Sequence, residues 1–191
     1  QRIQSYVYYR IAMTLDIMLL VVAAIVFFEF QPLTAVMIVV LALLDDIPIM
    51  TIAYDNVSAA PKPERWNMHR VLVFSCLMGL FSFAESMGLL LIGLEWISHP
   101  AHALFPIDRQ ALQTMVFLQL AVGGHLLLFV VRTRHSVFAP PYPSLPLFGA
   151  IVATQIAAIL ICAFGILVPK LSWQAIAAVW IYSLLWMVVI D

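Results

Sequence analysis

The chain has 191 residues, 64% of them hydrophobic and 10% charged, with nine basic and ten acidic side chains that nearly cancel. A soluble domain of this length cannot bury so much apolar surface, so a water-soluble globular protein is excluded and a bilayer is the solvent that fits. The balance of charge points to neither nucleic acid nor a strongly charged partner, and only the placement of charges along the chain is informative.

A membrane-spanning helix needs about 20 mostly apolar residues. The opening, Gln1 to Arg10, has two arginines, three tyrosines and no small-residue cleavage site, so it does not read as a secretory signal. It also lacks an initiating methionine, which suggests a start within a longer polypeptide. The first predicted span covers residues 8–28 and ends before Glu29-Phe30-Gln31-Pro32; the second covers 33–52. A longer break from Asp55 to Trp66, with Pro61 and Pro63, precedes the third span at 70–96. The break from His99 to Arg109 leads into the fourth at 111–131, and Arg132 to Pro146, with four prolines, into the fifth at 146–168. Pro169-Lys170 separates the last, 173–190. Proline removes a backbone donor, which marks these breaks as helix ends. The predicted fold is therefore all-α, a polytopic bundle of six transmembrane helices.

Counted over alternate breaks, Arg2, Arg10, Lys62, Arg65, Arg70, Arg132 and Arg134 lie on one side, and Arg109 and Lys170 on the other. The positive-inside rule then puts both termini in the cytoplasm. Trp66, Trp96, Trp173 and Trp186 fall near predicted ends, as interfacial anchors do, whereas Trp180 is deeper, facing lipid or packed. Gly79, Gly88 and Gly93 in the third span, and Gly149 with Ala153 in the fifth, are small enough to admit close helix approach. Cys76 and Cys162 have no second Cys or His at ligand spacing and read as buried thiols, so no metal site is expected in the chain.

An ionisable side chain in the bilayer costs about 2.5 to 3.5 kcal/mol on insertion scales, so each such residue is a candidate for an ion path. Here they are Asp16, Asp45, Asp46, Glu85 and His125. Asp16 lies six residues beyond Arg10, and Asp46 nine residues before Asp55. Both carboxylates are therefore expected roughly 9 to 14 Å inside the cytoplasmic edge, on adjacent antiparallel helices, where they are able to meet. Consecutive residues are about 100° apart around a helix, so Asp45 and Asp46 share one cavity only if the helix is broken. Pro48 supplies the break and frees the carbonyl of Leu44, and unwound carbonyls are a common ingredient of intramembrane cation sites. The competing reading is a structural kink with one aspartate protonated and bonded to the backbone.

Glu85, in mid-span, reads equally as a site ligand or as an acid bonded to a neighbouring helix. His125, after Gly123-Gly124, is suited to relaying protons near neutral pH, but the favoured reading is a neutral packing and hydrogen-bonding residue. Gln113, Gln119 and Gln155 read as interhelical hydrogen-bonding groups. Moving one charge against 100 mV costs about 2.3 kcal/mol. The chain has no phosphate-binding glycine loop, so an external motor or an ion gradient must supply that energy.

The stretch Leu41-Ala42-Leu43-Leu44-Asp45-Asp46-Ile47-Pro48-Ile49-Met50-Thr51-Ile52, with Ala53-Tyr54-Asp55-Asn56-Val57 and Pro61-Lys62-Pro63, resembles the sixth membrane helix and following loop of the plasma-membrane proton ATPases, the type III P-type pumps. The opening Gln1 to Ile11 resembles the start of their fifth helix. Phe117-Leu118-Gln119, Phe129 to Arg134 and Trp180-Ile181-Tyr182-Ser183 are similar to their eighth and tenth helices. The resemblance implies that the six spans are helices five to ten of a ten-helix pump, the first two for transport and the other four for support. It implies a plasma-membrane location, and as partners the lipid bilayer, the first four helices and cytoplasmic domains that use ATP and Mg²⁺. It places the family's proton-accepting aspartate on Asp46. The preceding family asparagine falls on Asp45, which when protonated would imitate that amide as a donor. The fifth-helix arginine of plant members falls at or beside Asp16, which removes a positive charge.

The leading expectation is proton translocation with Asp46 as carrier. The alternatives are a P-type pump for a metal cation such as Mg²⁺ or Na⁺, with Asp16, Asp45 and Glu85 as oxygen ligands, and a gradient-driven secondary transporter. The last requires an inverted repeat, and spans three to six contain no second acidic pair beside a proline.

Overall fold

The computed structural model describes residues 2–56, 67–132, 140 and 142–190. Val57, the Pro61-Lys62-Pro63 break, Arg65, Trp66 and Arg134 lie outside the described residues, as does the side chain of Arg2. Six helices follow one another: α1 (Arg2–Phe28), α2 (Ala35–Thr51), α3 (Met68–Ser98), α4 (Arg109–Val131), α5 (Leu145–Phe164) and α6 (Trp173–Ile190). Short 3₁₀ turns cover Ile52–Tyr54 and Pro100–His102. All six helices are long and apolar enough to cross a membrane. An even number of crossings returns the chain to the side on which α1 begins.

Polar residues set most of the helix starts. The side chains of Thr34, Asn67, Asp108 and Ser144 accept from the backbone N–H three residues on, at 3.2, 3.3, 2.6 and 3.4 Å. Ser172 does the same for Ala175 at 3.2 Å. Each cap satisfies a donor that the helix itself leaves open, which matters most where water is scarce. The fifth helix stops at Phe164, four residues short of the expected end, although Ile166-Leu167-Val168 continues the apolar run. Gly165 takes the left-handed conformation at φ 71° and donates to the Ile161 carbonyl, so backbone geometry ends a helix that hydropathy alone would extend.

α4 is the central element. In the most apolar window of α4, 78% is buried, against 22–44% in the corresponding windows of the other five helices. α1 lies along α3, α2 packs on α5 and α4, and α6 packs on α4. Gly79 makes the first of these contacts possible, since a Cβ there would sit 3.0 Å from both the Ala12 carbonyl oxygen and the Leu15 Cβ. Gly88 admits the Tyr182 hydroxyl, and Gly93 admits Leu112. Gly149 departs from expectation: a Cβ there meets nothing within 4 Å, so it has no close-packing role among the described residues. Trp180 packs against the main apolar cluster. Cys162 is buried as expected, whereas Cys76 is exposed.

Two apolar clusters fill the interior. The larger runs from Leu20 and Phe30 through the middle of α4 to α5 and α6. The smaller, built on Tyr9, Met13, Ile49, Leu128 and Ile151, closes the end where α1 begins and α4 finishes. The outward faces of α1 (Met18, Val22, Val26) and α2 (Val39, Leu43, Ile47, Met50) are apolar and exposed, as surfaces meant for lipid or further helices are.

Candidate functional site

Of the five intramembrane ionisable groups, α4 carries His125 and is flanked by Asp45 and Glu85, whereas Asp46 lies between α2 and α1 and Asp16 between α1 and α3. α2 stays helical through Pro48. Asp45 and Asp46 therefore keep their angular separation and point different ways. Asp45 is 6% exposed and faces α4, whereas Asp46 is half-buried and faces α1. The expectation that the Pro48 break turns both into one cavity is corrected: the helix absorbs the proline, and the departure from α geometry comes later, in the 3₁₀ turn from Ile52.

Asp46 meets Arg10, whose guanidinium Nη2 donates to Asp46 Oδ1. The Arg10 guanidinium also lies over the Tyr6 ring, 5.8 Å from its centroid. Arg10 is thus a counter-charge of the site and not simply a marker of the membrane edge. Asp16 does not meet Asp46. It lies on the α3 side of α1, 2% exposed, and accepts from Ser86 Oγ at 3.1 Å. The reason is azimuthal. Arg10 and Asp16 are six residues apart, which leaves them about 120° apart around the helix, so they do not share a face.

On the inner face of α2, Asp45 Oδ1 is 3.5 Å from His125 Nε2 of α4, with both side chains almost wholly buried. The other ring nitrogen, Nδ1, is 2.6 Å from the Gln155 amide nitrogen of α5. That amide nitrogen also donates to the Ala121 carbonyl at 3.1 Å. The Leu44 carbonyl, released by Pro48, is directed toward the His125 ring. Tyr9, 1% exposed, brings its hydroxyl from α1 against Gly124 and toward Asp45.

Glu85 occupies the other flank of α4. A Cβ on Gly123 would lie 3.1 Å from Glu85 Oε1 and 3.1 Å from the Gln119 amide nitrogen, so the glycine makes room for both. The Glu85 side chain lines a small cavity with Ser82, Gly123 and Ser183, and its backbone carbonyl accepts from the Tyr182 hydroxyl at 2.7 Å. Gln113 donates to the Gln31 carbonyl at 2.7 Å, tying α4 to the α1–α2 connection.

Sequence reasoning missed Arg10 and Tyr9 as members of the site, and Asp55 with Arg132 as a pair. Asp55 is 0% exposed and receives Arg132 Nε at 2.9 Å, Arg132 Nη2 at 3.3 Å and the Ser144 backbone N–H at 2.9 Å. The signal for Arg10 was its position inside the predicted first span.

A bundle of six spans with buried acids on both sides of its central helix, and a further, half-buried acid paired with an arginine, has the character of the ion-handling membrane portion of a transport protein. No family model matches the chain. Over its whole length it is 37% identical to a protein of Methanocaldococcus jannaschii named as a cation-transporting ATPase, of which it covers 23%. It is 28% identical over its full length to proton ATPase 1A of Leishmania donovani (23% of that protein) and 30% identical to plasma membrane ATPase 2 of Schizosaccharomyces pombe, with 95% of this chain and 18% of that one aligned. Over all or nearly all of its length the chain is thus similar to cation-transporting, proton and plasma-membrane ATPases, and its six apolar helices give it the form of a multi-pass membrane segment. It spans less than a quarter of the length of these relatives.

Proposed function

We propose that this chain is the ion-binding membrane part of an ATP-driven proton pump, with Asp46 as the proton carrier and Arg10 as its counter-charge. The observation that carries this reading is the Asp46–Arg10 pair between the two helices assigned to transport, α1 and α2. While Arg10 is in contact, the pair is neutral as a whole and the carboxylate needs no proton. A lone carboxylate left in hydrocarbon is expensive and is relieved by binding one. Relative movement of α1 and α2 therefore loads and unloads Asp46, and the direction of release depends on which side water reaches it. The helices α3 to α6 hold α2 against α4 and act as support.

In this reading the chain works with parts supplied by the rest of the pump. These are cytoplasmic domains that consume ATP with Mg²⁺ and four further helices that cover the apolar faces of α1 and α2. Both ends of the chain are cytoplasmic, and no nucleic acid is involved.

Asp46→Asn keeps the shape and cannot exchange a proton. In the intact pump, reconstituted in vesicles, it abolishes ATP-driven acidification; full transport by that variant overturns the assignment. The name of the archaeal relative specifies a cation without saying which. Phosphorylation that responds to Na⁺ or Mg²⁺ at constant pH, and not to pH itself, would transfer the same site to a metal cation.

A further inference from the structure

Asp45 lies behind Asp46, and its surroundings restrict where a proton is able to sit. The Gln155 amide nitrogen is 3.1 Å from the Ala121 carbonyl, an acceptor, which fixes the orientation of the amide. Its second hydrogen then points at His125 Nδ1, 2.6 Å away, so Nδ1 accepts. With that lone pair in use, the ring carries its hydrogen on Nε2, on the side where the Leu44 carbonyl and Asp45 Oδ1, 3.5 Å away, both lie. Asp45 Oδ1, His125 Nε2 and the Tyr9 hydroxyl are all buried without a completed hydrogen bond. A small closing movement would satisfy two donors on one carboxylate. The ring has no free nitrogen for a second proton, so a proton entering this group has to reside on Asp45.

We propose that Asp45, positioned by His125, Gln155 and Tyr9, is a second proton-carrying carboxylate of the transport cycle, one whose exchange depends on that of Asp46. The step is a simple exchange. The carboxylate takes a proton from water on the loading side to become the carboxylic acid, then returns it to water on the other side, and no electrons move. The charged and titratable neighbours are Tyr9 and Arg10 on α1, Asp46 on α2 and His125 on α4, while α5 contributes the uncharged Gln155. Glu85 stands on the opposite flank of α4, at Gly123. His125 and Gln155 are positioning residues: they hold the carboxylate without carrying the proton.

This inference rests on the proton reading above, and the experiment separates the two. Protons moved per phosphate released are measured for the intact pump in sealed vesicles. Asp45→Asn lowers that ratio about twofold, since one of two exchanging carboxylates is lost. A ratio equal to wild type overturns the second site and leaves Asp46 untouched. A wild-type pump that moves no protons defeats the proton reading itself. If Asp45→Asn does not assemble, Gln155→Leu frees Nδ1 to take a second proton, and the pH profile of turnover gains a step that the wild type lacks. A Gln155→Leu profile of unchanged shape also overturns the proposal, because a purely structural glutamine would alter the rate and not add a step.

Discussion

Asp55 and Arg132 show how a charge is accommodated when neither solvent nor lipid will take it. The carboxylate has no exposed surface, the guanidinium engages it through two nitrogens, and the Ser144 N–H supplies a third donor. Removing one partner of such a pair leaves the other buried and unmatched, at a cost of about 3–5 kcal/mol. Arg132→Ala is therefore expected to unfold the purified pump at markedly lower temperature or to prevent its assembly. Arg132→Lys, which keeps the charge but loses the two-pronged geometry, should recover only part of the loss. Thermal unfolding of both variants in the same detergent checks the order. At this scale the sequence was legible in one respect and opaque in another. Asp16, Asp45, Asp46 and Glu85 announced themselves because an acid in hydrocarbon is costly wherever it points. Their partners did not, because partner choice depends on how each helix is turned. Counting residues from a helix end gives depth and not azimuth, which is why Asp16 was expected beside Asp46 and is instead held by Ser86.

Among the described glycines, Gly79 is the one against which the α1 backbone packs. A side chain there would strike the Ala12 carbonyl and Leu15 at 3.0 Å, and a helix backbone does not give way as a flexible side chain does. Gly79→Val should force α1 and α3 apart, separate Asp16 from Ser86 and cost about 1–3 kcal/mol. Gly149→Val, with open space at the corresponding point, should cost far less. Unfolding midpoints of the two variants, measured side by side, test the contrast. The sequence presented these glycines as equals, because small size is visible in a sequence and the neighbour that exploits it is not. Helix existence was clear from apolar length alone. The end of α5 was not, since Gly165 acts through a backbone angle that leaves no trace in hydropathy.

For the molecule as a whole, six crossings with α4 at the centre make a definite statement about sidedness. Asn56, beyond α2, and His102, between α3 and α4, are both exposed and lie at opposite ends of the bundle. On the proposed topology, with both ends of the chain cytoplasmic, Asn56→Cys reacts with an impermeant thiol reagent added from the cytoplasmic side, and His102→Cys reacts from the outside. The reverse pattern would invert the bundle in the membrane. The overall architecture was readable because the bilayer imposes length and charge rules on every span. The flanking of α4 by Asp45 and Glu85 was not, because it arises from contacts between helices far apart in sequence.

The Asp55–Arg132–Ser144 knot has a mechanical consequence. It moors the far end of α2, just past its 3₁₀ turn, to the trailing end of α4 and the leading end of α5, whereas α1 reaches the same place through the 3.4 Å contact of the Ser5 hydroxyl with the Arg132 carbonyl. At that end a charged pair holds α2 while a single neutral hydroxyl holds α1, so a load along the bundle axis would displace the two helices unequally.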